Sequence, residues 1–177
     1  MINGADTAFV LAAAGLVLLM TPGLALFYAG MVRSKNVLGT MMQSLVLISL
    51  ISLEWVYLGY SMSFGPDVAG FIGDLSWVGL KGVGNAPSAT YATTIPHMVF
   101  MIYQCMFAVI TPALIAGAFA ERVRFPAFVV FSLLWALLVY NPVCHWVWGS
   151  GGWLAKLGVV DFAGGLVVHA TCGAAAL

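Results

Sequence analysis

Apolar residues in this chain come in long unbroken runs, without the three-four or alternating rhythm of a water-facing fold. Five runs cover residues 7–32, 37–64, 96–120, 126–148 and 161–177. Four of them reach the roughly 20 residues that an α-helix, rising about 1.5 Å per residue, needs to cross a hydrocarbon layer of about 30 Å. Helices that are apolar nearly all round have no solvent face, so the pattern predicts an all-α integral membrane protein, a polytopic helix bundle. The fifth run opens at Asp161 and is still apolar at Leu177. It is shorter than a full span, and the expectation is a chain cut inside its fifth helix.

The polar breaks between runs suggest an orientation. Arg33 and Lys35 follow the first run and Arg122 and Arg124 the third, whereas only Lys81 and Lys156 fall at the other end. Basic loops stay preferentially in the cytoplasm, which predicts an outer N-terminus and an outer connection over residues 65–95. Trp77, Trp146, Trp148 and Trp153 fall near the outer boundaries, where an interfacial aromatic belt is expected. The N-terminus lacks a basic segment before its first apolar run, so that run reads as a retained helix and not a cleaved signal peptide.

Composition agrees and excludes several function classes. Hydrophobic residues make up 63% of the chain and charged ones 7%, with zero net charge. No clustered basic face exists for nucleic acid. Cys105, Cys144 and Cys172 lie in or beside apolar runs without zinc-type or disulfide spacing, so they read as packing residues, and neither metal nor cofactor is expected. No nucleophile has a paired base, so an enzyme is not predicted. Gly23, Ala29 and Gly30, and Ala113, Ala116, Gly117 and Ala120, provide small faces for close helix contact. Pro22 and Pro112 sit inside apolar runs, as neighbouring helices in a membrane allow.

Few ionisable groups are left to carry chemistry. Glu54 is embedded in an apolar run, either as a proton-relay or ion-binding group or as a carboxyl satisfied by serine, tyrosine or tryptophan donors. Asp161 can cap the fifth helix at its positive end or help draw in a cation. Gly164 and Gly165 allow close approach there. His97 and His145 should sit near the outer surface, where a facing pair could ligate haem. His169 lies deep in the last run, and the residues leave open a bonded core histidine or a functional group.

The order and spacing of several motifs closely resemble the ammonium transporter (Amt/Mep/Rh) family. They are Leu16 to Asn36 with its Thr-Pro-Gly and Phe27-Tyr28-Ala-Gly30, then Gly59-Tyr60-Ser-Met-Ser-Phe64-Gly65. Tyr103-Gln104-Cys-Met-Phe107-Ala follows with Ala120-Glu121-Arg122, and finally Asp161-Phe-Ala-Gly-Gly-Leu-Val-Val-His169. The resemblance implies that residues 1–177 are the N-terminal half, the first five-helix half, of an inverted-repeat eleven-helix transporter. It implies a homotrimer with one pore per protomer, ammonium or ammonia as substrate, and a PII-type (GlnK) regulatory partner on the cytoplasmic face. Trp148 and Phe107 resemble the aromatic walls of the outer recruitment site. Tyr103 stands where relatives often carry phenylalanine, Asp161 resembles the supporting acidic residue, and His169 the first of two pore histidines. The implied mechanism is cation recruitment, deprotonation and conduction of ammonia past the histidines. A sensor of the same family and a non-conducting membrane anchor are the alternatives.

Overall fold

The computed structural model describes residues 1–177. Helix α1 spans Gly4–Ala29, α2 Ser34–Phe64, α3 His97–Phe119 and α4 residues 125–148. A single turn, α5 (Trp153–Lys156), then leads by a loop to α6, Gly165–Ala176. Four helices are long and apolar enough to cross a membrane, and α6 is shorter. The chain enters α1 through Asn3, whose side-chain oxygen accepts from the N–H groups of Ala5 and Asp6.

The fifth run begins its helix later than the apolar pattern suggests. Asp161 precedes α6, which starts at Gly165 behind Gly164 in the left-handed conformation (φ 75°). Hydropathy does not register that turn, because Phe162 and Ala163 are as apolar as the helix they precede. The connection between α2 and α3 is also more ordered than its composition implies. It holds two short antiparallel hairpins, β1 (Asp67–Val68) with β2 (Ile72–Gly73) and β3 (Pro87–Ser88) with β4 (Ala92–Pro96). Asn3 donates its main-chain N–H to the Thr94 carbonyl, tying the N-terminus to β4.

Helix α3 is central, packing on α1, α2 and α6, while α2 also packs on α4. Small residues set the α1–α3 approach. A side chain at Gly117 would meet the Tyr28 ring at 2.8 Å, and the Tyr28 hydroxyl donates to the Leu114 carbonyl across the same contact. The core is built from Leu47, Ile51, Trp55, Tyr60, Phe64, Ile115, Phe128 and Tyr140, all essentially inaccessible. Trp55 stands edge-on to Tyr60 (5.8 Å between ring centres) and to Phe64 (6.1 Å). Such pairs add about 0.5–1.5 kcal/mol each beyond the area they bury.

Three helices carry π-helical turns, at Trp55–Gly59, Ala136–Tyr140 and Gly165–Ala170. A π turn brings residues five apart into register and is common at functional sites. In α2 it sets Gly59 against the Glu54 carboxylate, whose oxygens would lie within 2.8 Å of any added Cβ. Glu54 accepts from the Asn141 amide at 2.7 Å through Oε1, while Oε2 has no partner. The carboxyl is thus held by an asparagine, and not by the serine, tyrosine or tryptophan donors that sequence suggests.

At the end of the bundle carrying the basic loops, Glu121 accepts from Asn36 and from the Arg33 guanidinium and main-chain N–H. It does so with a left-handed backbone (φ 65°), which is costly for a residue with a side chain. The bonds from Arg33 and Asn36 hold its carboxyl down at about 2.

Candidate functional site

Tyr103 and Phe107 lie four residues apart on α3 and so share one face of it. Their rings meet edge to face at 5.0 Å, and Phe107 in turn meets Trp148, the last residue of α4, at 6.4 Å. These three side chains line an open cleft of about 920 Å³ together with Phe64, Tyr91, Phe100 and Asp161. It lies at the end of the bundle opposite the basic loops. No lysine or arginine lines it, and its one acidic residue is Asp161. Aromatic faces without competing cations form a surface on which a small cation is attracted by ring quadrupoles.

Asp161 organises this cleft in two ways. Its carboxylate Oδ2 accepts the N–H groups of Leu166 and Val167 at 3.0 and 2.9 Å, capping α6 from four residues before the helix starts. Its main-chain carbonyl accepts the Trp148 indole N–H at 3.0 Å. One residue therefore ties the start of α6 to the ring at the end of α4. Gly164 permits the turn between them: it needs positive φ, and a Cβ there would come within 3.0 Å of Val168.

Gln104 also lines the cleft, and its Oε1 is enclosed without a hydrogen-bond partner. Sequence reasoning passed over it, although a polar amide between Tyr103 and Cys105 in an apolar helix was the available signal. Tyr91 is set by accepting the Ser150 N–H at 2.6 Å and stacks on Phe100 at 5.4 Å. Burial pushes the Tyr91 phenol up from its ordinary value.

His169 stands apart from the cleft lining. It lies on the π turn of α6, where its N–H bonds the Gly164 carbonyl five residues back, and it is exposed on the surface of the chain. The structure thus brings Tyr103, Phe107, Trp148 and Asp161 together, with His169 one turn beyond Gly164.

The other two histidines differ from expectation. Both lie near the cleft end of their helices, but His97 is 6% exposed and His145 fully buried, because the hairpins and Trp77 cover them. His97 Nε2 meets the Tyr60 hydroxyl at 2.5 Å. His145 Nδ1 faces the Ser63 carbonyl and its Nε2 the Asp67 carboxylate, each at 3.0 Å. With these nitrogens engaged, the haem-ligand pair is not available. Asp67 also meets Lys156 at 3.3 Å, and the His145 bond, with help from Gly70 and Lys156, holds its carboxyl below the usual range. Of the belt tryptophans, Trp77 stacks on Tyr60 and Trp148 lines the cleft, so these two serve the protein interior.

The architecture is that of a polytopic membrane protein, a bundle of long apolar helices with two short hairpins in the α2–α3 connection. The chain belongs to the Ammonium Transporter Family, whose profile matches residues 8–177. It is 59% identical over 172 residues to an ammonium transporter of Bacillus subtilis, covering 97% of this chain and 42% of that protein. It is 46% identical over 172 residues to ammonium transporter Amt1 of Archaeoglobus fulgidus, covering 97% and 41%. The crystal structure of Candida albicans Mep2 superposes with a TM-score of 0.90 at 40% identity, covering 99% of this chain and 38% of that one. A protein described as a sensor Amt protein superposes at 0.87 with 29% identity, covering 97% and 42%. The chain therefore spans about two fifths of the length of the relatives it matches.

Proposed function

We propose that this chain forms one wall of a pathway for ammonium and ammonia across a cell membrane. It is the N-terminal part of a transporter domain whose second half supplies the facing wall. The observation that carries the reading is the convergence of Tyr103, Phe107 and Trp148 on one cleft, with Asp161 holding both Trp148 and the helix that bears His169. Ammonium and potassium are similar in size and charge, so a rigid hole discriminates poorly between them. Ammonium alone has N–H donors and a proton to give up. Aromatic faces recruit the cation with roughly 0.5–2 kcal/mol each, weakly enough to release it. A dry passage then penalises a bare ion and spares neutral ammonia. His169 would accept, donate or relay a proton along that passage.

In this reading the exposure of His169 in the present chain is the exposure of a pore surface, filled by a second histidine of the remaining half. The exposed apolar face of α1, with Leu16, Leu19, Leu26 and Phe27, suits lipid or a second protomer, as a homotrimer requires. The basic-loop end faces the cytoplasm, the N-terminus lies outside, and a PII-type regulator would dock on the basic end. The sensor reading shares the same cleft. It is favoured by the likeness to the sensor protein, and a signalling domain elsewhere in the full-length protein would mark it.

The test uses the full-length protein in proteoliposomes. Trp148→Leu and Phe107→Leu should raise the concentration giving half-maximal methylammonium uptake by about 2- to 30-fold, the range spanned by one cation–π contact. His169→Ala should abolish ammonium-evoked current. Unchanged concentration dependence in the first pair discards the recruitment site. Current and uptake that both persist in His169→Ala, with potassium still excluded, discard the proton-relay role.

A further inference from the structure

One face of α4 grips α2 on both sides of a π turn. The Asn141 amide donates to Glu54 Oε1 at 2.7 Å, just before the turn at Trp55–Gly59. Four residues on, and so on the same face of α4, His145 Nδ1 meets the Ser63 carbonyl at 3.0 Å, beyond the turn. The Ser63 hydroxyl also reaches back to the side-chain and main-chain oxygens of Asn141, at 3.4 Å each. Glu54, Ser63, Asn141 and His145 are all buried, so these bonds are shielded from water.

The spacing of the two gripped residues requires the turn. Glu54 and Ser63 are nine residues apart, about 2.5 turns of an α-helix, which would set them on opposite faces. A π turn absorbs one extra residue, and the remaining eight bring the two within about 80° of each other. Only then does a single face of α4 reach both. Helix α4 carries a π turn of its own, closed by the Asn141 N–H on the Ala136 carbonyl. The two turns lie side by side, with the Trp55 and Tyr140 rings 6.2 Å apart. Gly59 completes the lock: the Glu54 oxygens lie 2.7 and 2.8 Å from where its Cβ would stand, so the carboxyl folds over the turn that it closes.

The ring aimed by this arrangement is that of Phe64, next to Ser63. It stands edge-on to Tyr91 and to Phe100, at 5.2 Å each, and lines the aromatic cleft with them. Were α2 to relax to an unbroken α-helix, Phe64 would turn by about 100° relative to Glu54, and the aromatic wall would lose one member. We propose that Glu54 and Asn141 are positioning residues for cation recruitment. They hold the π turn of α2, and the turn sets Phe64 against Tyr91 and Phe100. The proposal rests on the reading of that cleft as the recruitment site.

The full-length protein tests the lock and its consequence separately. Cryo-electron microscopy of Glu54→Leu should show residues 55–60 as continuous α-helix, with the Phe64 ring displaced from Tyr91 and Phe100. Glu54→Gln keeps the acceptor for Asn141 and should keep the turn. Gly59→Ala places a methyl where the carboxyl lies and should straighten α2 in the same way, a second route should Glu54→Leu not assemble. In proteoliposomes, Glu54→Leu should raise the half-saturating methylammonium concentration about fivefold, the worth of about one hydrogen bond. That rise should exceed any fall in maximal uptake, and Glu54→Gln should restore the unaltered value. A π turn that persists in both Glu54→Leu and Gly59→Ala overturns the lock. A straightened α2 with unchanged half-saturation, or a glutamine variant as weak as leucine, overturns the positioning role. Trp148→Leu in the same assay keeps the two readings apart: if it weakens uptake and Glu54→Leu does not, the failure belongs to Glu54 alone, whereas an unmoved Trp148→Leu discards the recruitment reading itself.

Discussion

Removing the Asp161 carboxylate separates two roles that this residue performs with different atoms. Its side chain accepts two N–H groups at the start of α6, and its main-chain carbonyl accepts the Trp148 indole. Asp161→Ala deletes both side-chain bonds. A lost helix cap costs about 0.5–2 kcal/mol, and the lost charge at the positive helix end adds about 0.3–1 kcal/mol. The combined cost, about 1–3 kcal/mol, is local and should fray the first turn of α6. Asp161→Asn keeps an acceptor of the same shape and should recover most of the cap while losing the charge.

Hydrogen exchange of the full-length protein, followed over residues 161–170, reads the cap directly. Asp161→Ala should speed exchange at Leu166 and Val167 by about 5- to 100-fold, and Asp161→Asn by much less. Methylammonium uptake in the same samples reads the consequence for Trp148. Alanine should weaken apparent affinity more than asparagine, because a frayed turn displaces the carbonyl that holds the indole. Unchanged exchange at Leu166 and Val167 in Asp161→Ala would refute the cap. If asparagine matched alanine in uptake but not in exchange, the charge and not the cap would govern recruitment.

Other perturbations have equally direct readings. Gly164→Ala places a Cβ at φ 75° and 3.0 Å from Val168, so a loss of about 1–2 kcal/mol should appear as a lower Tm. Gly117→Ala drives a methyl into the Tyr28 ring 2.8 Å away and should cost about 1–3 kcal/mol, with Tyr28→Leu on the same background restoring part of it. Glu121 has a folded value of about 2 against an ordinary 4.5, so its stabilisation is full above the ordinary value and is lost as pH falls through the folded one. Tm measured between pH 5 and about pH 2 should therefore drop more steeply in the unaltered protein than in Glu121→Gln; parallel curves would dismiss the Arg33–Glu121 linkage.

The sequence alone determined the class of this protein, because crossing a bilayer demands long apolar runs with few charges, and those are visible residue by residue. Motif order supplied the family, and the resemblance pointed to Tyr103 and Phe107. Tertiary structure decided what depends on residues far apart in the chain. Trp148 joins Phe107 only because α4 packs back toward α3, and Asn141 rather than a nearby hydroxyl reaches Glu54. His97 and His145 are buried because the α2–α3 connection folds into hairpins over them, an arrangement no local pattern encodes. The shift of the last helix start from Asp161 to Gly165 has a local origin instead. Hydropathy reports solvent preference, whereas a helix begins where backbone N–H groups find an acceptor, here the Asp161 carboxylate reaching forward past a left-handed glycine.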